Sequence, residues 1–355
     1  MNWKIGNETF PVKSAEDLKL IEVRHLGANE EAALKILRIW LNGVDPEFLT
    51  SGTTGEKKPV TLSRDLIKWS IRNTTMITGS DNVVLVTIPC ERIGGAMQVL
   101  RAFENDDTIR VLDPSSHPLK EVPDDHDLTL TSLVPFQIYH IMDDPAQFEQ
   151  FRRFRCALIG GEPMIPAREQ ELIQKLGQSG PDLIHTYGMT ETASHIATRR
   201  FGKAGYTPFS GVKISTDTEG HLRIEIPEVG LSINTTDEVN IESDGTFILK
   251  GRNAFTVNSA GRKIRIEELE HRIHEIVKDR SPHPYALWKE ADDQLGERLI
   301  LMVAEHFDFP VDQVEKELTR FDHPRRIYKV KEILRNSSGK IDRKGTYASI
   351  NQNQK

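Results

Sequence analysis

Cysteine is scarce in this chain: its 355 residues include two, Cys90 and Cys156. Two thiols make neither a disulfide framework nor a four-thiolate zinc site. Both stand in apolar runs and are expected to be buried free thiols. No apolar run approaches the ~20 residues that span a bilayer. The opening Met-Asn-Trp-Lys-Ile-Gly-Asn-Glu has no apolar signal core, so a reducing, cytoplasmic compartment is the expectation. An excess of basic charge is also missing, since 46 Lys plus Arg stand against 53 Asp plus Glu for a net charge of −7. That argues against a dedicated binder of nucleic acid or anionic membrane, although a local basic cleft is compatible with it. Internal repeats and low-complexity blocks are absent. The 37% apolar and 28% charged fractions are those of a folded soluble protein.

The length suits two or three domains. Continuous apolar runs at Val83 to Ile88, Ile109 to Leu112, Leu128 to Val134, Cys156 to Ile159 and Leu183 to His185 read as buried strands. Helical patterns lie among them: Asn29 to Trp40 with Asn29 as N-cap, a helix from the Ser63 cap through Ile71, and Ala167 to Leu176 ending at Gly177. This alternation predicts an α/β fold with a mostly parallel sheet. After about residue 205 the texture changes. Gly211 to Ile226 and Glu238 to Leu249 alternate apolar and polar residues, with turns at Glu219-Gly220 and Asp244-Gly245, as antiparallel hairpins do. A helix at Ile266 to Val277, a strand at Arg298 to Ala304 and a helix at Val311 to Phe321 form a separate small α+β pattern. The expected division is a large domain over residues 1–251 and a small one over 252–355, with the boundary near Gly251-Arg252.

Five stretches carry residue types suited to chemistry. Thr50-Ser51-Gly52-Thr53-Thr54-Gly55-Glu56-Lys57-Lys58 can curl around an anion and offer it N–H groups, hydroxyls and lysine charge. It lacks the kinase and GTPase P-loop spacing, and a plain surface loop is the alternative. Tyr187-Gly188-Met189-Thr190-Glu191-Thr192 follows a strand, where α/β sheets bind ligands. Its ring can stack on a base and its carboxylate can hold Mg²⁺; alternatively, it is an ordinary helix start. Ile159-Gly160-Gly161-Glu162-Pro163 lets a flat ring approach bare backbone, or is a strand-to-helix turn. Asp237 with the later Gly251-Arg252 can take ribose hydroxyls and phosphate, or be solvated surface charges. Ser337-Ser338-Gly339-Lys340-Ile341-Asp342-Arg343 puts a lysine on a glycine-containing turn far from the first loop. A moving domain could deliver it; otherwise it is a solvated basic tail.

Together and in this order, these stretches resemble the adenylate-forming superfamily of acyl-CoA synthetases, luciferases and peptide-synthetase adenylation domains. The likeness runs from about Phe48 to Arg343 and includes the block from Gly251-Arg252 through Arg262-Lys263-Ile264-Arg265-Ile266-Glu267-Glu268. The short stretch before the phosphate loop, the run Thr87 to Phe103 and the run Thr190 to Arg200 look like compact bacterial O-succinylbenzoate–CoA ligases of menaquinone biosynthesis. The resemblance implies an AMP-forming acid–thiol ligase that uses ATP, Mg²⁺ and CoA, with a mobile C-terminal domain. It implies that Ser51, Thr53, Thr54 and Lys58 hold the β- and γ-phosphates. Thr190 and Glu191 would meet the α-phosphate and Mg²⁺. Gly161, Glu162 and Tyr187 would line the adenine pocket, with Asp237 on the ribose and Arg252 beside it. Lys340 would bridge the α-phosphate and the acyl carboxylate, and Ser259 to Lys263 would turn toward CoA.

A dicarboxylate also needs a partner for its second carboxylate; Arg101, Ser194, His195 and Arg92 are the candidates, with a solvated helix arginine as the alternative for Arg101. Three departures from the superfamily pattern stand out. Ala254 replaces the usual Asp or Lys pivot. Lys57 and Pro59 alter the phosphate loop. Glu91 and Arg92 replace an aromatic residue and a histidine. A ligase for another aromatic or short acid remains open, as does a catalytically weak nucleotide- or acyl-binding protein. Retention of Lys340, Glu191 and Asp237 together argues against the second. Oligomeric state is open.

Overall fold

The computed structural model of the chain describes residues 1–50, 58–122, 127–252, 255–259, 262–277, 284–319, 322–336 and 340–352. Its largest sheet has nine strands. Their spatial order is Thr207–Pro208, Ser194–Arg200, Asp182–Met189, Cys156–Ile159, Leu130–Leu133, Val83–Val86, Thr108–Val111, Asn2–Ile5 and Glu8–Pro11. The run from Asp182–Met189 to Asn2–Ile5 is parallel, and antiparallel strands flank it on both sides. Inner strands Val83–Val86 and Cys156–Ile159 are continuously apolar because both faces are covered. Val84, Val86, Cys156 and Leu158 join one apolar cluster, while Leu85, Ala157 and Ile159 join another, as the two-residue period of a strand requires.

Helices Ile93–Glu104, Pro135–Asp143, Pro145–Phe151 and Pro166–Leu176 connect successive strands. Three of them begin at a proline, whose missing N–H costs nothing in a first turn. Pro166–Leu176 stops at Gly177, which takes φ +59°.

Three expected helix limits are corrected. Helix Ala28–Leu41 is capped by Gly27 rather than Asn29. Asp113 Oδ1 accepts the Asn29 N–H, which frees the Asn29 side chain. That side chain donates to the Ile88 and Leu112 carbonyls and accepts from the Cys90 N–H, tying the helix to two strand ends. The Ser63-capped helix runs to Thr78 instead of Ile71, because Thr74, Thr75 and Thr78 each return their hydroxyl hydrogen to a carbonyl one turn back. The later helix is shorter than expected. It spans Val311–Glu317, after which Leu318 turns extended and packs into the core. Both cysteines are buried and free.

The hairpins form a second sheet in the order Lys213–Thr216, His221–Ile226, Leu231–Ile241, Phe247–Arg252. Gly220 and Gly245 take the left-handed turn positions at φ +86° and +83°. A third sheet follows, with Arg262–Arg265, Thr256–Ser259, Gly296–Ala304 and Tyr285–Asp292 in order; Arg326–Val330 pairs parallel to Gly296–Ala304. Helices Ile266–Val277, Val311–Glu317 and Arg343–Gln352 accompany it. The apolar clusters of this last part begin at Val257 and share no residue with those that end at Phe247. Among the described residues, no helix is long and apolar enough to cross a membrane.

Candidate active site

Four parallel strands deliver their carboxyl ends to one cavity of about 180 Å³. Ile88 and Pro89 follow Val83–Val86; Val134 follows Leu130–Leu133. Gly160 and Gly161 follow Cys156–Ile159, and Met189 ends Asp182–Met189. This is the rim where open α/β sheets bind ligands. Arg92, Arg101, Thr190, Ser194, His195 and Lys340 also line it. Residues up to 291 positions apart along the chain, Leu49 and Lys340, therefore share one cavity.

Close backbone packing explains two of the glycines. A Cβ on Gly160 would lie 2.1 Å from Thr186 Oγ1, and one on Gly188 would lie 2.0 Å from the Ser194 carbonyl oxygen. Gly161 takes φ +96°, and the Lys340 Cε lies 3.4 Å from where its Cβ would stand. The lysine stem thus rests on bare backbone.

One end of the cavity is built on helix Ile93–Glu104, whose inner face carries Arg101. Arg101 is 3% exposed, so it is a buried side chain rather than a solvated one. Burial pulls its pKa down to about 10, opposed by the charge of Asp107, and it stays cationic at neutral pH. Among the described residues its Nε has no hydrogen-bond partner. A buried cation with an unbonded N–H favours a ligand that brings negative charge. His195 stands beside it, with Nε2 3.0 Å from Thr74 Oγ1 and Nδ1 3.2 Å from Ser194 Oγ. Burial, and then the Arg101 charge, push its pKa down to about 3. His195 is therefore a neutral hydrogen-bonding wall and not a second cation. Ser194 and the preceding Ala193 both hold left-handed backbone, at φ +83° and +49°. Ser70 Oγ donates to the Ala193 carbonyl and Thr192 Oγ1 to that of Ser194, which fixes this strained corner.

The nucleotide candidates fall partly outside the cavity. Tyr187, Glu162, Glu191 and Asp237 do not line it. Tyr187 is buried, with its ring edge-on to Phe247 and its hydroxyl donating to Asp237 Oδ2. Asp237 is 3% exposed and sits opposite Arg252 in the antiparallel ladder; the Arg252 side chain lies outside the described residues. Thr190 and Glu191 occupy a single 3-10 turn at Thr190–Thr192. Glu162 has its pKa raised by burial, opposed by the charges of Arg335, Lys340 and Arg343. Lys58 is exposed at the base of a hairpin whose strands are Glu47–Leu49 and Pro59–Thr61. The Thr50 N–H donates to the Lys58 carbonyl at 2.9 Å, closing that base. Ser51, Thr53, Thr54, Lys57 and Ala254 lie outside the described residues.

Glu191 suits a hard divalent cation: it is half-exposed, and among the described residues it makes no hydrogen bond or ion pair. No group of three His, Cys, Asp or Glu side chains could hold a metal among the described residues, so phosphate oxygens would complete such a site. Sequence reasoning missed Gly94, Gly95 and Val134 on the cavity wall. The signal available was the glycine pair itself, because a Cβ on Gly95 would meet the Pro89 carbonyl oxygen at 2.3 Å.

The sequence profile of AMP-binding enzymes matches residues 48–238. A 2-succinylbenzoate–CoA ligase of Lactococcus lactis is 26% identical over 83% of this chain and 69% of its own length. A D-alanine–D-alanyl carrier protein ligase of Lacticaseibacillus rhamnosus is 22% identical over 94% of this chain and 77% of its own length. Among solved structures, an acyl-CoA synthetase (AMP-forming)/AMP-acid ligase II-like protein from Dyadobacter fermentans aligns at TM-score 0.59 and 25% identity. That alignment covers 95% of this chain and 99% of the other. An o-succinylbenzoate CoA synthetase from Bacillus subtilis aligns at TM-score 0.70 and 19% identity, over 84% of this chain and 68% of the other, and shows the shared fold.

Proposed function

The chain belongs to the AMP-binding enzyme family, and from that premise we propose that it is an ATP-dependent acid–CoA ligase whose acid is a dicarboxylate of the O-succinylbenzoate kind. The observation that carries the choice of acid is Arg101, a buried cation whose Nε has no hydrogen-bond partner among the described residues, in the same cavity as Lys340. One carboxylate of the acid reacts near Lys340 and Thr190; the other neutralises Arg101, with Ser194 and neutral His195 supplying hydrogen bonds. Relatives named 2-succinylbenzoate–CoA ligase support this reading. The relative that activates D-alanine keeps a second one in view, a ligase for another short acid.

The chemistry has two parts. A carboxylate oxygen attacks the α-phosphorus of ATP and pyrophosphate leaves, giving an acyl-adenylate. The CoA thiol then attacks the acyl carbon and AMP leaves, giving a thioester. The first step brings anions together, so positive charge placed at the reacting centre lowers its barrier. Lys340 supplies that charge, and the loop with Ser51, Thr53, Thr54 and Lys58 holds the outer phosphates. Thr190 and Glu191 would hold Mg²⁺, which when bound screens the phosphate charge. The Tyr187–Asp237 pair takes the ribose with Arg252 beside it, and Gly161 and Glu162 border the adenine. Residues 252–355 act as a small domain that carries Lys340 in for the first step and turns Ser259 to Lys263 toward CoA for the second. The seating of Lys340 on Gly161 supports an adenylate-forming orientation.

The test is pyrophosphate release from ATP and Mg²⁺ across a panel of carboxylic acids, with and without CoA. O-succinylbenzoate, or a close dicarboxylate, is expected to lead the panel. Preference for monocarboxylates would overturn the choice of acid, and silence across the whole panel would overturn the ligase reading.

A further inference from the structure

Phe136 opens helix Pro135–Asp143, next to Val134 on the cavity wall. The guanidinium carbon of Arg335 lies 3.8 Å from the centroid of its ring, close enough for a cation–π contact. The ring is braced behind: His140 meets it edge-on at 4.7 Å, and His117 packs on His140 at 4.6 Å. Arg335 is also tied to the backbone around Lys340. Arg335 bridges Ile341, and the Asn336 N–H donates to the Lys340 carbonyl at 2.9 Å. The Lys340 N–H donates back to Asn336 Oδ1 at 3.1 Å. These ties between residues 335–336 and 340–341 couple the place of Arg335 to the place of Lys340. Glu162, just past the strand end that also supplies Gly161, feels the charges of Arg335 and Lys340, but burial outweighs them and raises its pKa.

We propose that Phe136 forms the seat on which Arg335 docks, and that this contact positions Lys340 for adenylate formation. Arg335 is thus a positioning residue for the first half-reaction. The inference rests on the reading of Lys340 given above and deepens it. Phe136 lies far upstream in the chain, whereas Arg335 travels with the tail segment. When that segment rotates away, the seat and the lysine contact are lost together, so the second half-reaction has no use for either. A contact of this type changes an equilibrium or rate by about 3- to 30-fold.

The experiment measures the two half-reactions separately, using the most active acid of the panel. Pyrophosphate release reports the first; thioester formation from the chemically prepared acyl-adenylate and CoA reports the second. Arg335→Ala and Phe136→Leu are each expected to lower kcat of the first about tenfold with the acid KM unchanged. The double variant should fall no further than either single one, and Arg335→Lys should recover part of the loss. The second half-reaction should stay within about twofold throughout. Phe136→Leu keeps apolar packing, so it tests the ring contact even if Arg335→Ala folds poorly. Equal losses in both half-reactions, additive losses in the double variant, or no loss would overturn the proposal. Lys340→Ala is the reference. If it leaves pyrophosphate release intact, the reading of Lys340 fails and this inference with it. If it abolishes release while Arg335→Ala and Phe136→Leu do not, the docking seat alone fails.

Discussion

The Tyr187 hydroxyl donates to Asp237 Oδ2 at 2.5 Å, and the two side chains are 6% and 3% exposed. Two candidate nucleotide residues on different sheets thus form one buried polar unit. Removing the donor leaves a buried carboxylate oxygen short of a partner, which typically costs about 1–3 kcal/mol. Tyr187→Phe is therefore expected to weaken ATP binding about 3- to 10-fold and to leave acid binding nearly unchanged. Asp237→Ala should weaken ATP binding further. Calorimetric titration of each variant with ATP and with the acid checks both, and unchanged ATP affinity would contradict the assignment.

Arg101 sets activity against stability. Its charge is buried, with Nε unbonded among the described residues. Arg101→Met removes a buried charge while keeping apolar volume, so the ligand-free protein should gain about 1–2 kcal/mol. The same variant should lose dicarboxylate turnover by about 100-fold, as removal of a positioned charge does, and favour monocarboxylates. Thermal denaturation and the acid panel read the two effects. A lower Tm together with an unchanged acid preference would show that Arg101 serves packing alone.

Lys340→Ala should abolish pyrophosphate release while thioester formation from preformed acyl-adenylate continues. The predicted loss in the first step is about 100-fold or more. Rapid-quench measurement of each half-reaction separates them, and matched losses in both would remove the bridging role.

His185 and His195 give the fold a pH dependence of definite sign. Burial pushes both pKa values down to about 3, whereas an unfolded histidine titrates near 6.5. Below about pH 6.5 the unfolded chain binds protons that the native state refuses, so stability falls as pH drops toward 3, by about 1.4 kcal/mol per pH unit for each histidine. Above about pH 7 neither contributes. His195→Gln should remove about one proton from the slope of unfolding free energy against pH between 4 and 6. An unaltered slope in denaturant titrations would mean that His195 is charged in the native state.

Gly188→Ala tests the corner beneath Ser194. The added methyl would meet a carbonyl oxygen at 2.0 Å, so the backbone must shift, at a cost of about 1–3 kcal/mol. Lower Tm together with a raised acid KM is the expected pair of readouts; wild-type values for both would show that the corner is slack.

Much of this architecture was legible in the residue order. Cys156–Ile159 is a continuous apolar run, and it is buried on both faces as such a run must be. Helix Ile266–Val277 and the turns at Gly220 and Gly245 also match their local patterns. Strand Tyr285–Asp292 was not legible, because Lys289, Glu290 and Asp292 interrupt its apolar signal. Glu290 is buried there by hydrogen bonds from Arg298, Tyr328 and Tyr347, partners no local window contains. The edge hairpin Asn2–Pro11 is too short and too exposed to announce itself. Within the site, motif order identified Thr190, Gly161 and Lys340, which share the cavity. The neutrality of His195, the Tyr187–Asp237 bond and the stacking of Arg335 on Phe136 depend on burial and on contacts distant in sequence. Spacing along the chain does not encode them.

On the proposed reading, the groups that would face the acid and the pair that would face the ribose belong to separate pieces of backbone. Arg101 rides on helix Ile93–Glu104, whereas Asp237 sits in the hairpin sheet. On the proposed reading, menu and fuel are therefore governed independently. Drift or engineering confined to one turn of that helix can retune which molecule is activated while the energy-supplying half of the machine stays as it is.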